Sequence, residues 1–316
     1  MLRSLVLNAV QVLFVLTVSP LMRGVLNRLE ERAQSKVGPS VLQPYYDLYK
    51  LFHKDEVVSD VATGVFRLAP YVYFVAPLVV TMLIPALTSF PLFWAFMGDM
   101  VAAGFILSLG GFFLALAAID AGNTYGAMGT SRTRMVSSLV EPIFVILFFS
   151  VSFAANATIP FVVQAHWVSS VVAFVSPTHL FLLVAFVMII LAETGRIPVD
   201  NPSGHFELAM IDEAKTLEFS GPSAALVRWG GHAKIMVLSL VLLNVLLAPW
   251  GLASTPSLGA VALAVVCVAA KLLVFVLVLA AIETSLAKLR LFRIPDFLGL
   301  AFVTAVLAMV AAPFHL

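Results

Sequence analysis

LGAVALAVVCVAAKLLVFVLVLAAI, residues 258–282, runs directly into ETSLAKLRLFR, residues 283–293. The first stretch is long enough to cross the hydrocarbon core of a bilayer as a helix, which takes about 20 mostly apolar residues. Its one charged residue is Lys271, while the second stretch carries Lys288, Arg290 and Arg293. An apolar run closed by a basic segment is the pattern of a membrane helix anchored on its cytoplasmic side.

Working outward, comparable apolar runs lie near residues 4–22, 68–88, 92–118, 136–157, 168–192, 234–250 and 297–314. The chain therefore reads as an all-α polytopic membrane protein of about eight spans, since an open sheet cannot satisfy its backbone in lipid. Composition agrees: hydrophobic residues make up 61% and charged residues 11% of the chain, where a soluble domain carries about 25% charged residues. Mean hydropathy is +1.05. Only Arg3 precedes the first run and no small-residue cleavage site follows it, so it is expected to be a retained span. Pro77, Pro85 and Pro177 lie within or near span ends, where membrane helices tolerate proline.

Every Lys and Arg except Arg3 and Lys271 falls after spans one, three, five and seven. The positive-inside rule then puts both termini outside and these loops in the cytoplasm. Two loops are long, residues 23–67 and 193–233, and both mix acids with bases; long loops of this kind bind or position something. They hang on a single transmembrane domain, residues 1–316. Within the first, Val41, Leu42, Tyr45, Leu48, Tyr49 and Phe52 recur at helical spacing, as in a helix lying in the membrane interface or against a soluble partner.

Several function classes drop out. There is no basic stripe of the kind nucleic acid requires. Cys267 stands alone, so the chain cannot close an internal disulfide or ligate an iron–sulfur cluster with cysteines. No Walker loop, dinucleotide fingerprint, HExxH pair or nucleophile elbow is present. Ionisable residues at membrane depth are functional by default. Asp99 in span three, Glu141 in span four, Glu193 and Glu283 at the ends of spans five and seven, and Lys271 within span seven are the candidates for a proton path. The plain alternative is that Glu193 and Glu283 are solvated or paired with Arg196 and Arg290.

Seven segments together resemble a known family: ERAQSKVGPSVLQPYYDLYKLF (31–52), FRLAPYV (66–72), AIDAGNTYGAMGTSR (118–132), LVEP (139–142), AETGRIPVDNPSGHFEL (192–208), LEFSG (217–221) and ETSLAKLRL (283–291). The chain is similar to the subunit-1 family of respiratory complex I, and most of all to its relatives in membrane-bound nickel–iron hydrogenases, the branch of formate hydrogenlyase subunit 4 and hydrogenase-4 component C. The resemblance implies a membrane anchor and ion-coupling subunit with no catalytic residue and no cofactor or metal of its own. Its partners would be a hydrogenase-like large subunit and a small iron–sulfur subunit on the cytoplasmic face, with antiporter-like subunits in the membrane. Those partners would carry the iron–sulfur clusters and, in hydrogenases, a nickel–iron site. The matching loop residues, Arg32, Gly38, Pro39, Gln43, Asp47, Lys50, Asp120, Arg132, Arg196, Pro198, Asp200, Glu207, Glu218, Ser220, Gly221 and Arg290, would dock or couple the redox arm. A quinone-chamber subunit of a complex-I-like dehydrogenase is the neighbouring alternative; a free-standing transporter is a third, and long loops without a visible repeat count against it. Two departures stand out. NPSGHFEL replaces an acid-rich stretch of the quinone-reducing members, and Gly110 and Gly111 stand before the FF of span three, where many hydrogenase-type members carry an arginine.

Overall fold

The computed structural model describes residues 2–95, 98–200 and 211–312. Among the described residues, seven helices are long and apolar enough to cross a membrane. They are α1 (Leu2–Ala33), α3 (Gly64–Leu83), α4 (Met100–Asp120), α5 (Thr124–Ala155), α9 (Gly221–Leu240) with its continuation Val241–Leu247, α10 (Leu258–Ser285) and α11 (Ile294–Ala311). An eighth apolar helix, α8 (Pro177–Glu193), has 17 residues and occupies the place of the fifth expected span. The short α2 (Gln43–Phe52), α6 (Pro160–Ser169) and α7 (Val171–Phe174) complete the set. The fold is all-α and polytopic.

Several helices outrun the apolar stretches that seeded them. α5 has 32 residues, about 48 Å at 1.5 Å per residue against a hydrocarbon core of roughly 30 Å. Arg132 and Arg134 therefore ride on its first turns and not in a loop, and Asn123 caps it through a 2.8 Å bond from Tyr125 N. The two long loops shrink for the same reason. Residues 23–33 belong to α1, 64–67 to α3 and 221–233 to α9, which shortens the first loop to 34–63 and leaves 194–200 and 211–220 as the described parts of the second. Span five is shorter than expected because the chain breaks at Ser176, whose hydroxyl caps α8; Pro177 then takes a position that needs no N–H. Asp99 is not inside a span. It is the N-cap of α4, accepting 2.8 Å from Val101 N.

Proline shapes α1. Pro20 lies inside the helix and has no N–H for the Leu16 carbonyl. Trp229 of α9 supplies the donor, Nε1 to Leu16 O at 3.0 Å, and the Tyr45 hydroxyl of α2 donates to the next carbonyl, Thr17 O. A backbone defect in one helix thus seats two others. Gly24 lets the segment before α2 lie against α1, since a Cβ there would run into the Val41 carbonyl. α2 buries Pro44 and Leu48 on the bundle and leaves Leu42, Tyr46, Tyr49 and Phe52 exposed.

α3 packs between α4 and α9, α1 between α9 and α10, and α11 against α5 and α8. At the end where α3 and α9 finish, buried amides tie the chain together. Gln11 accepts from Ala86 N and Leu87 N at 3.2 and 3.3 Å, and Asn244 donates to the Pro85 and Ala86 carbonyls at 3.1 and 2.9 Å. Asn244 sits in a π-helical turn, Val241–Leu247. The carbonyls freed where that turn ends are met by Lys271, whose ammonium donates to Ala248 O at 2.7 Å, to Asn244 Oδ1 at 3.2 Å and to Trp250 O.

Candidate functional site

At the opposite end, the segment leaving α8 gathers charge from four other elements. Glu193, the last residue of α8, pairs with Lys234 of α9 at 2.7 Å, and each side chain is 10% exposed. Arg196 is 1% exposed and meets Glu283 of α10 at 3.0 and 3.2 Å and Glu30 of α1 at 3.5 Å. Asp200 joins Lys288 at 2.6 Å through Oδ1 and accepts from Ile211 N and Asp212 N through Oδ2 at 3.1 and 2.9 Å. The Leu289 N–H donates to Pro198 O at 2.8 Å. Eight residues, Glu193 to Asp200, thus tie the ends of α1 and α10 to the middle of α9, and the pairing differs from the simple expectation. Glu193 takes Lys234, not Arg196, and Glu283 takes Arg196, not Arg290, which is exposed.

A polar cavity of about 110 Å³ opens beside this network, lined by Arg23, Glu193, Asp212, Lys215, Arg228 and Lys234 among others. One water needs about 10–15 Å³ of such space, so several fit. A smaller cavity of about 30 Å³ shares Glu193, Asp200 and Lys234 and reaches Ser108, Arg134 and Glu141. Glu141 is therefore joined to Glu193 by continuous polar space. Arg134 lies 3.6 Å from Glu141 and stacks over Phe112 at 5.4 Å. Gly111 opens onto the same cavity and leaves it room. Around Asp212, burial opposes the carboxylate charge, but the Lys215 ammonium at 2.5 Å more than offsets it and holds the group below the ordinary aspartate range.

Of the proposed proton path, the structure brings Glu141, Glu193 and Glu283 to this network and separates the other two. Asp99 caps α4, and Lys271 closes the far end of the π-helical turn. Several loop residues serve the fold itself. Asp120 accepts from Thr63 N, Thr63 Oγ1 and Phe66 N at 2.7, 2.9 and 3.3 Å, tying the end of α4 to the start of α3. Ser220 exchanges two 2.8 Å bonds with the Val57 backbone. Gly221 has φ +51, and a Cβ there would lie 2.8 Å from Asp55 O. Glu218 accepts from Asn123 Nδ2. Arg32 and Pro39 are exposed, Gly38 packs near Arg28 O, Gln43 and Lys50 both reach Asp47 at 3.3 Å, and Arg132 is half-buried. Glu207 lies outside the described residues. Glu30, Lys234, Lys288 and Asp212 were not singled out from the sequence; acids and bases within a few residues of an apolar run were the available signal. Among the described residues, no three His, Cys, Asp or Glu side chains cluster as a metal site requires.

Comparison with known proteins gives this arrangement its relatives. The family model described as NADH dehydrogenase matches residues 3–313. The chain belongs to the NADH dehydrogenase, or complex I subunit 1, family. It is 31% identical over 312 residues to formate hydrogenlyase subunit 4 of Escherichia coli, covering 98% of both chains. It is 30% identical over 303 residues to hydrogenase-4 component C of the same organism, covering 95% of this chain and 93% of that one. A chain in the structure of an archaeal respiratory complex, the membrane-bound sulfane sulfur reductase, superposes with a TM-score of 0.83 at 16% identity over 98% of each chain. That likeness places the fold. As a member of the family with seven long apolar helices, the protein is a multi-pass membrane protein. The family segments fall where the network is: ETGRIPVD forms its hub, and ETSLAKLRL brings Glu283 and Lys288.

Proposed function

We propose that this chain is the membrane-anchor and ion-coupling subunit of a membrane-bound hydrogenase or formate-hydrogenlyase-type complex in the cell's inner membrane. The basic face is cytoplasmic, and both termini face the other side. A peripheral arm with a hydrogenase-like large subunit and an iron–sulfur small subunit docks on the 34–63 and 194–220 connections. The redox groups belong to those partners, and antiporter-like subunits lie beside this chain in the bilayer. The observation that carries the reading is the buried network held by Glu193–Asp200, with polar space running from it to Glu141. Ion pairs buried at helix ends are rigid while intact and costly to break singly. A shift of the connection beneath the redox arm would therefore change how Glu193 and Glu141 hold protons. Full-length identity to two hydrogenase-complex subunits favours the hydrogenase type.

The test is the purified complex reconstituted in vesicles. Glu193→Gln and Glu141→Gln are expected to lower ion movement per hydrogen formed while hydrogen formation itself persists. Unchanged coupling in both variants would remove the relay role. A complex that instead reduces quinone would move the chain to the dehydrogenase side of its family.

A further inference from the structure

α10 packs chiefly along α1 and makes little contact with α8 or the π-helical turn on its other side. The gap left there is a slot of about 120 Å³, and every side chain lining it is apolar. Ile190 of α8, Leu243 of the π-helical turn and Leu279 of α10 form its floor, at 1%, 4% and 2% exposure. Leu247, Val274 and Val278 form its rim, at 44%, 58% and 51%. The slot is thus closed toward the bundle and open along a lipid-facing side of α10. A buried water needs several polar partners, and this lining offers none; apolar cavities of about this size stay dry and accept hydrocarbon guests. Left empty, the walls forfeit their dispersion contacts.

Shape and surroundings select the guest. The slot follows α10 from Val274 to Ile282, about 12 Å at 1.5 Å per residue. One leaflet of the hydrocarbon core is about 15 Å deep. The long axis runs with a membrane helix and so near the bilayer normal. An acyl chain lies in that direction, whereas a side chain from a neighbouring subunit would enter across it. Ile282 and Leu191 mark one end of the slot, beside Glu283 and close to Glu193, which places it in the leaflet of the ion-pair network. The chain leaving α10 crosses over this end, since Leu289 N–H donates to Pro198 O just past α8 and α11 then packs on α8. Arg290 and Arg293 stand exposed on the crossing, with no ion pair among the described residues. Basic residues just cytoplasmic of a membrane helix attract anionic lipid headgroups.

We propose that the slot binds one acyl chain of an anionic phospholipid from the cytoplasmic leaflet, with the lipid phosphate against Arg290 and Arg293. The lipid supplies the packing that α10 lacks on this side, directly beneath the segment that brings Glu283 and Lys288 to the buried network. The assignment uses the orientation of the chain in the bilayer and does not require the coupling role above.

The test uses the full-length chain, in nanodiscs and in its assembled complex, with phosphatidylglycerol carrying a photoactivatable group midway along one acyl chain. Phosphatidylcholine with the same chain is the zwitterionic control. After irradiation, peptide mass spectrometry compares the slot walls, residues 187–191 and 242–247, with Leu263 and Val266, which are 66% and 65% exposed on α10. Phosphatidylglycerol is expected to label the slot walls, and to do so more than phosphatidylcholine. Val278→Trp at the rim should displace about two methylenes of the chain, which lowers slot labelling roughly tenfold, while Leu263 and Val266 stay labelled. Arg290→Gln combined with Arg293→Gln should abolish the preference for phosphatidylglycerol and leave the slot open to either lipid. Unlabelled slot walls beside a labelled Leu263 would overturn the proposal, as would equal labelling by the two lipids in the wild type. A slot that loses its label in the assembled complex would also overturn it, by showing that a partner subunit fills the space. Labelling at Leu263 and Val266 reports insertion in every sample, and the arginine variant alters only exposed positions, so the decision does not hang on how Val278→Trp folds.

Discussion

Removing Arg196 should hurt the protein far more than removing either acid it holds. Arg196→Met leaves Glu30 and Glu283 facing one another in a site where their side chains are 12% and 3% exposed. Without the guanidinium the two buried acids repel each other, and one of them must take up a proton. From an ordinary glutamate value of about 4.3, that costs roughly 3.7 kcal/mol at about pH 7, at 1.36 kcal/mol per unit. This agrees with the roughly 3–5 kcal/mol typical of stripping one partner from a buried ion pair. Glu283→Gln is milder, because Glu30 still serves Arg196 from 3.5 Å; about 1–3 kcal/mol is expected for the lost charged hydrogen bonds. Glu30→Gln leaves the 3.0 Å contact intact and should cost under about 1 kcal/mol, the scale of a lost neutral hydrogen bond. Arg196→Met combined with Glu283→Gln should cost less than the sum of the singles, since only one acid remains to be neutralised; contacting residues couple by about 0.5–3 kcal/mol. Reversible unfolding in mixed micelles, followed by circular dichroism, gives all four values. The reasoning fails if Glu30→Gln costs as much as Arg196→Met, or if the double variant is strictly additive.

Three shorter predictions concern other parts of the chain. Trp229→Phe should cost about 1–3 kcal/mol by leaving the Leu16 carbonyl without a donor, and nearly nothing in a Pro20→Ala background, where residue 20 regains its N–H; equal cost in both backgrounds would refute the proline account. Lys271→Met should lower thermal stability by about 1–3 kcal/mol, because the carbonyls of Ala248 and Trp250 lose a charged donor; an unchanged melting temperature would show that this end needs no cap. Asp212 is held below the ordinary aspartate range, so its contribution is full above the unfolded value and is lost as pH falls through the folded one. Asp212→Asn should flatten the acid side of the stability–pH curve, and an unaltered acid limb would count against the Asp212–Lys215 pair.

The spans were legible because transfer into lipid adds up residue by residue along the chain, and 258–282 declares itself without any partner. The segment ETGRIPVD lies at the hub of the buried ion pairs. What could not be read was who pairs with whom. Glu193 and Arg196 are three residues apart, yet the break in helix after Glu193 turns one toward α9 and the other toward α1 and α10. Asp99 looked membrane-buried because hydropathy ignores capping, and the helix begins one residue later. Lys271 stands in an apolar run, and only the packing shows its long side chain reaching the π-helical turn of a neighbour. Sequence alone determined an all-α, polytopic, one-sidedly basic membrane chain, because each of those properties is local. The tertiary structure decided the ion-pair network, the polar space between Glu193 and Glu141, and the meeting of Glu30 with Glu283, because those depend on how helices far apart in sequence are rotated and packed against each other.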